Sequence, residues 1–297
     1  MTSAWIVACS ARRESSNSTF LMTEIAPMLL FDSGAVAVRE IAEQDSEQLR
    51  KRHLGGLIAG FRSKDDADRA ALQVSSQLTD VVCEVLEETD HDAWVDLQRV
   101  GLSPTSVGPW TIRAPWDEPT SGHEVVIDPG AAFGHGGHPS TQLAIKLMLR
   151  ALVDDADQQR TVLDFGTGTG VLAILAAKSG YEVRATEVNL EALSVARKNI
   201  QRNNVDGQVS LTHTDSLDIR VDVSDLVVAN VTLDVHRRIS SRYAKATRII
   251  AAGLLCGQVA EMAELLPEHS AITISTHREW AAVDFSRPAQ NSRYKQQ

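Results

Sequence analysis

Thr161-Val162-Leu163-Asp164-Phe165-Gly166-Thr167-Gly168-Thr169-Gly170 is the stretch that decides the fold. Its first five residues are a short, mostly apolar run ending in glycines, which reads as a buried strand. Val171 to Lys178 follows as a helix and Glu182 to Val188 as the next strand. A strand, a glycine turn, a helix and a second strand form a βαβ unit, and such units build parallel sheets covered by helices on both faces. Asn189 can cap the next helix, whose Leu190, Leu193, Ala196 and Ile200 form one face. Val209 to Thr212, Leu226 to Val231, Leu254 to Val259, Ile272 to Ser275 and Ala281 to Phe285 supply further strands. Residues 124–297 are therefore expected to form a doubly wound, Rossmann-like α/β domain.

Upstream the pattern differs. Residues 2–10 read as a strand, and Asn17 to Leu30 carries Phe20, Leu21, Ile25, Met28 and Leu29 at helical spacing. Ala35 to Ile41 reads as a second strand. Leu54 to Phe61, Lys64 to Leu78 and Val81 to Leu86 then repeat strand, helix, strand. That order is a split βαβ unit, so residues 1–89 are expected to form a small ferredoxin-like α+β domain. Residues 90–123 hold Trp94, Trp110 and Trp116 among prolines at 104, 109, 115 and 119. They read as a linker of short extended pieces that packs against a neighbour.

The 297 residues are 43% hydrophobic, enough for a sizeable core, and the length suits two domains. No run of about 18 apolar residues is present. Arg12-Arg13-Glu14 interrupts any signal-peptide reading of the start, so a cytoplasmic, reduced protein is expected. Cys9, Cys83 and Cys256 are far apart in apolar stretches and are expected to pack in the core. Residues 1–120 hold 11 Lys and Arg against 19 Asp and Glu, most of the chain's net charge of −10. An acidic face disfavours nucleic acid and anionic membranes and steers a basic partner.

Ligands of doubly wound sheets bind beyond the carboxyl ends of the strands, where the glycine loop lies. Glycines there let the backbone approach a ligand closely, and Glu187, at the end of the next strand, can accept bonds from vicinal ribose hydroxyls. That geometry suits NAD or S-adenosylmethionine. A dinucleotide site reads GxGxxG, whereas this loop reads GxGxG after an acid. Asp164 would repel a pyrophosphate but could hold the ammonium of S-adenosylmethionine, the cofactor favoured here.

A second constellation runs from Asp128 to Thr141, DPGAAFGHGGHPST, a glycine-rich loop that can close over a ligand before a helix opens at Thr141. His135 and His138, without a nearby acid or thiol, are a poor metal set. The third is Val227-Val228-Ala229-Asn230-Val231, a strand with an amide at its carboxyl end. A lysine amine titrates near about 10.4, and a carboxylate beside it would hold it protonated. A neutral carbonyl such as that of Asn230 can take an amine hydrogen and aim the lone pair at a methyl donor.

These residues resemble the ribosomal protein L-eleven methyltransferase family. Its hallmark is close to D-P-G-x-A-F-G-T-G-T-H-P-[ST]-T, which residues 128–141 match at all but two defined positions. The likeness continues through Val162 to Gly166, Leu172-Ala173-Ile174 and Ala229-Asn230-Val231, and upstream through Asp92-Ala93-Trp94 and Pro115 to Pro119. The resemblance implies methylation of lysine or amino-terminal amines on ribosomal protein L-eleven, with the acidic first domain gripping this substrate. It makes Thr141, Gly166, Glu187 and Asn230 cofactor contacts, with Asn230 also the catalytic residue beside the amine. Asp164, Gly168 and Phe133 complete the expected cofactor site. The chain departs from the family at His135 and Gly137, where threonines are usual, and keeps one carboxylate, Glu187, followed by Asn189. The alternatives are methylation of another protein or a small molecule, cofactor binding without turnover, and an NAD-dependent oxidoreductase.

Overall fold

The computed structural model describes residues 4–12, 21–33, 35, 37–41, 51–53, 56–61, 63–88, 103–130, 132–154, 161–214, 220–222 and 226–287. The first region contains β1 (Ala4–Ala11), a π-type turn over Leu21–Ile25 leading into α1 (Ala26–Asp32), β2 (Ala37–Glu40), β3 (Leu57–Phe61), α2 (Lys64–Gln77) and β4 (Val81–Glu88). The four strands pair antiparallel in the order β2-β3-β1-β4, the split βαβ arrangement. Ser63 caps α2 by accepting from the Asp66 N–H at 3.1 Å, and Asp65 and Asp66 in the first turn favour the helix dipole. The helix expected from Asn17 is seen only from Leu21; its start, like Trp94, lies outside the described residues.

The cysteines differ from expectation. Pairing in register across β1 and β4 brings Cys9 and Cys83 together, with their sulfurs 2.7 Å apart. Cys9 is buried and Cys83 half-buried, while Cys256 is exposed in a 3₁₀ turn rather than packed in the core.

The described part of the tryptophan-bearing stretch folds as a small sheet of β5 (Thr105–Val107), β6 (Trp110–Arg113) and β7 (His123–Val126). Trp110 is buried, whereas Trp116 stays 42% exposed. The sheet is fastened to the larger domain by Asn203, whose side chain accepts from the Val126 N–H at 3.0 Å and donates to the Val126 carbonyl at 2.7 Å.

The larger domain comprises α3 (Pro139–Asp154), β8 (Val162–Phe165), α4 (Val171–Lys178), β9 (Val183–Glu187), α5 (Leu190–Arg202), β10 (Val209–His213), β11 (Leu226–Asn230), α6 (Leu233–Tyr243), β12 (Arg248–Leu255), α7 (Val259–Glu264), β13 (Ser270–His277) and β14 (Trp280–Ser286). Its sheet runs β10-β9-β8-β11-β12-β14-β13, parallel from β10 to β12, with β14 antiparallel to β12 and to β13. The winding reverses between β8 and β11, the switch point where such sheets bind ligands.

Three readings change. Leu190 is 64% exposed, so the buried face of α5 is Leu193, Ala196 and Ile200. The strand expected over Leu254 to Val259 begins at Arg248, and the chain after Leu255 turns into a 3₁₀ turn and α7. The helix α6 was not expected, although Leu233, His236, Ile239, Ser240 and Tyr243 recur at helical spacing on its buried face. Among the described residues, no helix is long and apolar enough to cross a membrane.

Candidate functional site

A cavity of about 350 Å³ opens at the switch point, within the range of about 300–1,000 Å³ usual for small-molecule sites. Phe133, Thr141, Gly166, Gly168, Glu187 and Asn230 all line it. Asp164 does not. It is 1% exposed beneath the glycine loop, where the Thr167 hydroxyl donates to its Oδ2 at 2.5 Å. Burial pushes its carboxyl up to about 7, and the nearby Glu187 charge acts in the same direction.

The cavity is built by crossed loops. Gly168 follows β8 with a φ of +56°, and a Cβ there would lie 2.5 Å from the Phe133 carbonyl. Glycine is therefore required on both counts. Thr169 fixes the crossing: its N–H donates to Phe133 at 3.1 Å and its hydroxyl to the Gly134 carbonyl at 2.7 Å. Asn199 of α5, fully buried, donates to the carbonyls of Asp128 and Thr169 at 2.9 and 3.0 Å and accepts from the Asp128 N–H at 3.0 Å. One amide thus ties the start of the closing loop to the end of the glycine loop.

Glu187 ends β9 with its carboxylate turned back on the backbone. It accepts from the N–H groups of Gly168, Val188 and Asn189, each at 2.9 Å. Burial raises its pKa while these bonds oppose the rise. Asn189 caps α5, accepting from Glu191 and Ala192 at 2.8 and 3.2 Å, as its position led one to expect.

Asn230, across the cavity at the end of β11, is arranged differently. Its Nδ2 donates to the Thr141 hydroxyl at 3.2 Å, and its buried Oδ1 finds no hydrogen-bond partner among the described residues. A buried, unpaired acceptor is uncommon, and this one lies beside the cavity. Phe133 packs edge-on against His138, which packs edge-on against Trp280, with ring centroids 4.9 and 4.8 Å apart. His138 also lies 2.8 Å from the Ser140 hydroxyl, and His135 rests over Gly137. Neither ring joins a metal-binding cluster among the described residues.

Two contributors escaped the sequence reading. Asn199 had a signal, an amide on the buried face of α5 between Ala196 and Ile200. Arg238 lines the cavity from α6 beside Val235 and Ile239 as the one cationic side chain of its lining among the described residues. It went unseen because α6 itself did.

The comparisons with known proteins concern the chain as a whole. A family model described as "Ribosomal protein L11 methyltransferase (PrmA)" matches residues 5–288. The chain is 33% identical over 211 residues to a ribosomal protein L11 methyltransferase of Thermus thermophilus, covering 68% of this chain and 81% of that protein. It is 29% identical over 286 residues to the protein of that name from Cupriavidus taiwanensis, covering 87% and 93%. Among solved structures, a ribosomal protein L11 methylase from Lactobacillus delbrueckii subsp. bulgaricus superposes with a TM-score of 0.56 at 26% identity, covering 63% of this chain and 99% of that one.

Proposed function

Because the chain belongs to the ribosomal protein L11 methyltransferase family and is an S-adenosylmethionine-dependent methyltransferase, we propose that its acceptors are amino groups of ribosomal protein L11. The unpaired Oδ1 of Asn230 carries this reading. When bound, S-adenosylmethionine would supply a sulfonium methyl group that passes in line to the amine nitrogen as the sulfur leaves as a neutral thioether.

The residues of the chain divide the remaining work. Glu187 takes a ribose hydroxyl with the one lone pair that its three backbone bonds leave on Oε2. Gly166 and Gly168 bring the backbone against the cofactor, Asp164 balances its cationic end from beneath, and Phe133 and Thr141 close over it. A lysine amine must shed a proton to solvent before it is enclosed, since its usual pKa is about 10.4, and a carboxylate in place of Asn230 would hold that proton on. The Asn230 carbonyl accepts an N–H of the neutral amine and aims its lone pair, while the bond from Nδ2 to Thr141 keeps the amide from turning. Positioning and exclusion of water supply the acceleration.

The chain's acidic first region recruits the basic acceptor protein. In this division residues 1–89 form the recruiting domain, 90–123 connect, and 124–297 hold the cofactor. A cytoplasmic site, where ribosomal proteins are available, goes with that acceptor. Incubation with methyl-labelled S-adenosylmethionine and the purified ribosomal proteins of its own source should label L11, and Asn230→Ala should abolish the label. Label confined to another protein would overturn the choice of acceptor.

A further inference from the structure

The turn that carries Asn230 is held from behind by a buried chain of polar groups. Asn230 stands in register with Ala252 of the neighbouring strand β12. The Ala252 carbonyl accepts from the Val231 N–H at 3.2 Å and lies 2.9 Å from His236 Nε2. His236 Nδ1 lies in turn 2.6 Å from the Tyr243 hydroxyl. Both side chains are fully buried on α6, the helix that begins immediately after the Asn230 turn.

The chemistry fixes every proton in this chain. A carbonyl can only accept, so His236 carries its hydrogen on Nε2 and donates it to Ala252. A neutral imidazole then offers Nδ1 as an acceptor, and the Tyr243 hydroxyl donates to it. Burial keeps both groups uncharged: it lowers His236 to about 4 and raises Tyr243.

The backbone explains why a side chain is needed there. The register between β12 and β14 shifts between Ala251 and Leu254, so Ala252 and Gly253 form a bulge. Gly253 has a φ of +80°, and a Cβ on it would lie 2.3 Å from the Val231 carbonyl. The bulge is thus pressed against the residue next to Asn230. A bulged carbonyl held by the Val231 N–H at 3.2 Å is a loose support, and the His236 ring supplies a further bond.

We propose that His236, backed by Tyr243, is a positioning residue for methyl transfer: through the Ala252 carbonyl it sets where the Asn230 amide stands. Of the cofactor contacts, Glu187 and Gly168 lie on the β9 side of the cavity, while Gly166 follows β8 beside the Asn230 turn, where a Cβ on it would lie 2.8 Å from Val231. Loss of the relay therefore misplaces the acceptor amine, while Glu187, held by its three backbone bonds, keeps its grip on the cofactor. A shift of about 1 Å at a reacting group can cost about 100-fold in rate. The inference rests on the reading of Asn230 as the group that aligns the amine.

The test measures kcat with ribosomal protein L11 as acceptor, and the Kd for S-adenosylmethionine by calorimetry, on full-length His236→Phe, Tyr243→Phe and Asn230→Ala. His236→Phe should lower kcat at least tenfold with Kd within twofold of the parent. Tyr243→Phe, which leaves the bond to Ala252, should lower kcat about threefold with Kd unchanged. A parental kcat in His236→Phe, or kcat and affinity falling together, overturns the proposal. Should His236→Phe not fold, Tyr243→Phe decides alone, and a parental kcat in it overturns the proposal. Asn230→Ala separates the two claims: if it keeps its kcat, the reading of Asn230 itself is wrong. If it loses kcat while the His236 and Tyr243 variants do not, only the relay is wrong.

Discussion

Glu187 and Asn230 end two strands of one sheet and line one cavity, yet their hydrogen-bonding states are opposite. The carboxylate of Glu187 is engaged by three N–H groups of its own backbone, one from the glycine loop and two from the turn into α5. The carbonyl of Asn230 is engaged by none among the described residues. On the proposed reading, the first residue constructs the cofactor side before any ligand arrives, and the second keeps a capacity in reserve. A preorganised wall on one side and an unspent acceptor on the other is the division expected where one ligand is a resident cofactor and the other a transient substrate.

Removing the reserved acceptor tests the division most severely. Asn230→Ala should lower kcat by about 100-fold or more, from loss of amine alignment. Its affinity for S-adenosylmethionine should fall less than about tenfold, the worth of one neutral hydrogen bond. Steady-state rates and calorimetry on the same preparation check this, and equal losses in both would erase the contrast with Glu187.

Glu187→Ala should do the reverse. Loss of charge-assisted bonds of about 1–3 kcal/mol weakens cofactor binding by roughly 10- to 100-fold. The change also strands the N–H of Gly168, so the variant should melt earlier than the parent even without cofactor. Unchanged affinity by calorimetry would remove Glu187 from the cofactor site.

Asp164 sharpens the comparison through pH. In the unfolded chain an aspartate titrates near about 3.9, but burial raises Asp164 to about 7. The folded protein thus keeps a proton that the unfolded chain sheds. The stability this confers is complete below about pH 4 and is lost as pH rises through about 7. A cationic cofactor favours the ionised carboxylate, so binding should expel the proton. Affinity should then increase roughly tenfold from pH 5.5 to 7.5, and Asp164→Asn should flatten the dependence. A parental slope in Asp164→Asn would assign the effect to another group.

What the sequence disclosed follows from which residues carried a periodic signal. The glycine loop, α4 and the strand ends at Glu187 and Asn230 were legible because a buried parallel strand is a short apolar run and its loop needs glycines. The first sheet was legible from the order of its elements alone. The helix α6 was not, since His236 and Tyr243 on its buried face read as polar residues, and the buried bond between them is announced by no pattern. Arg248–Leu255 was misjudged because Ala251, Ala252 and Gly253 weaken a strand signal at the bulge that seats the Asn230 turn. Cys9 and Cys83 are 74 residues apart, and only the pairing of β1 with β4 makes them neighbours. Hidden features thus concentrate where distant backbone segments meet.

The smallest effect concerns the closing loop, which belongs to the prebuilt side yet carries glycines. Gly134 and Gly136 have φ values of +99° and +104°, and a Cβ at 136 would strike Ile112 of β6. Those two glycines are needed. Gly137 has no positive φ, so a side chain there is compatible with the backbone, and what it would meet is His135 Nε2 at 2.7 Å. Glycine at 137 and histidine at 135 thus accommodate each other. Gly137→Thr should restrict the open loop, worth about 0.4–1 kcal/mol, but must displace the His135 ring. Combined with His135→Thr the obstruction is gone, and a hydroxyl bond of about 0.5–1.5 kcal/mol can be added. The double variant should bind S-adenosylmethionine roughly twofold to tenfold more tightly, and the single variant should gain less. Calorimetry on both reads the difference directly. Tightening in the single variant alone would show that His135 is itself a cofactor-side contact. No tightening in either would show that the loop's freedom is not what limits affinity.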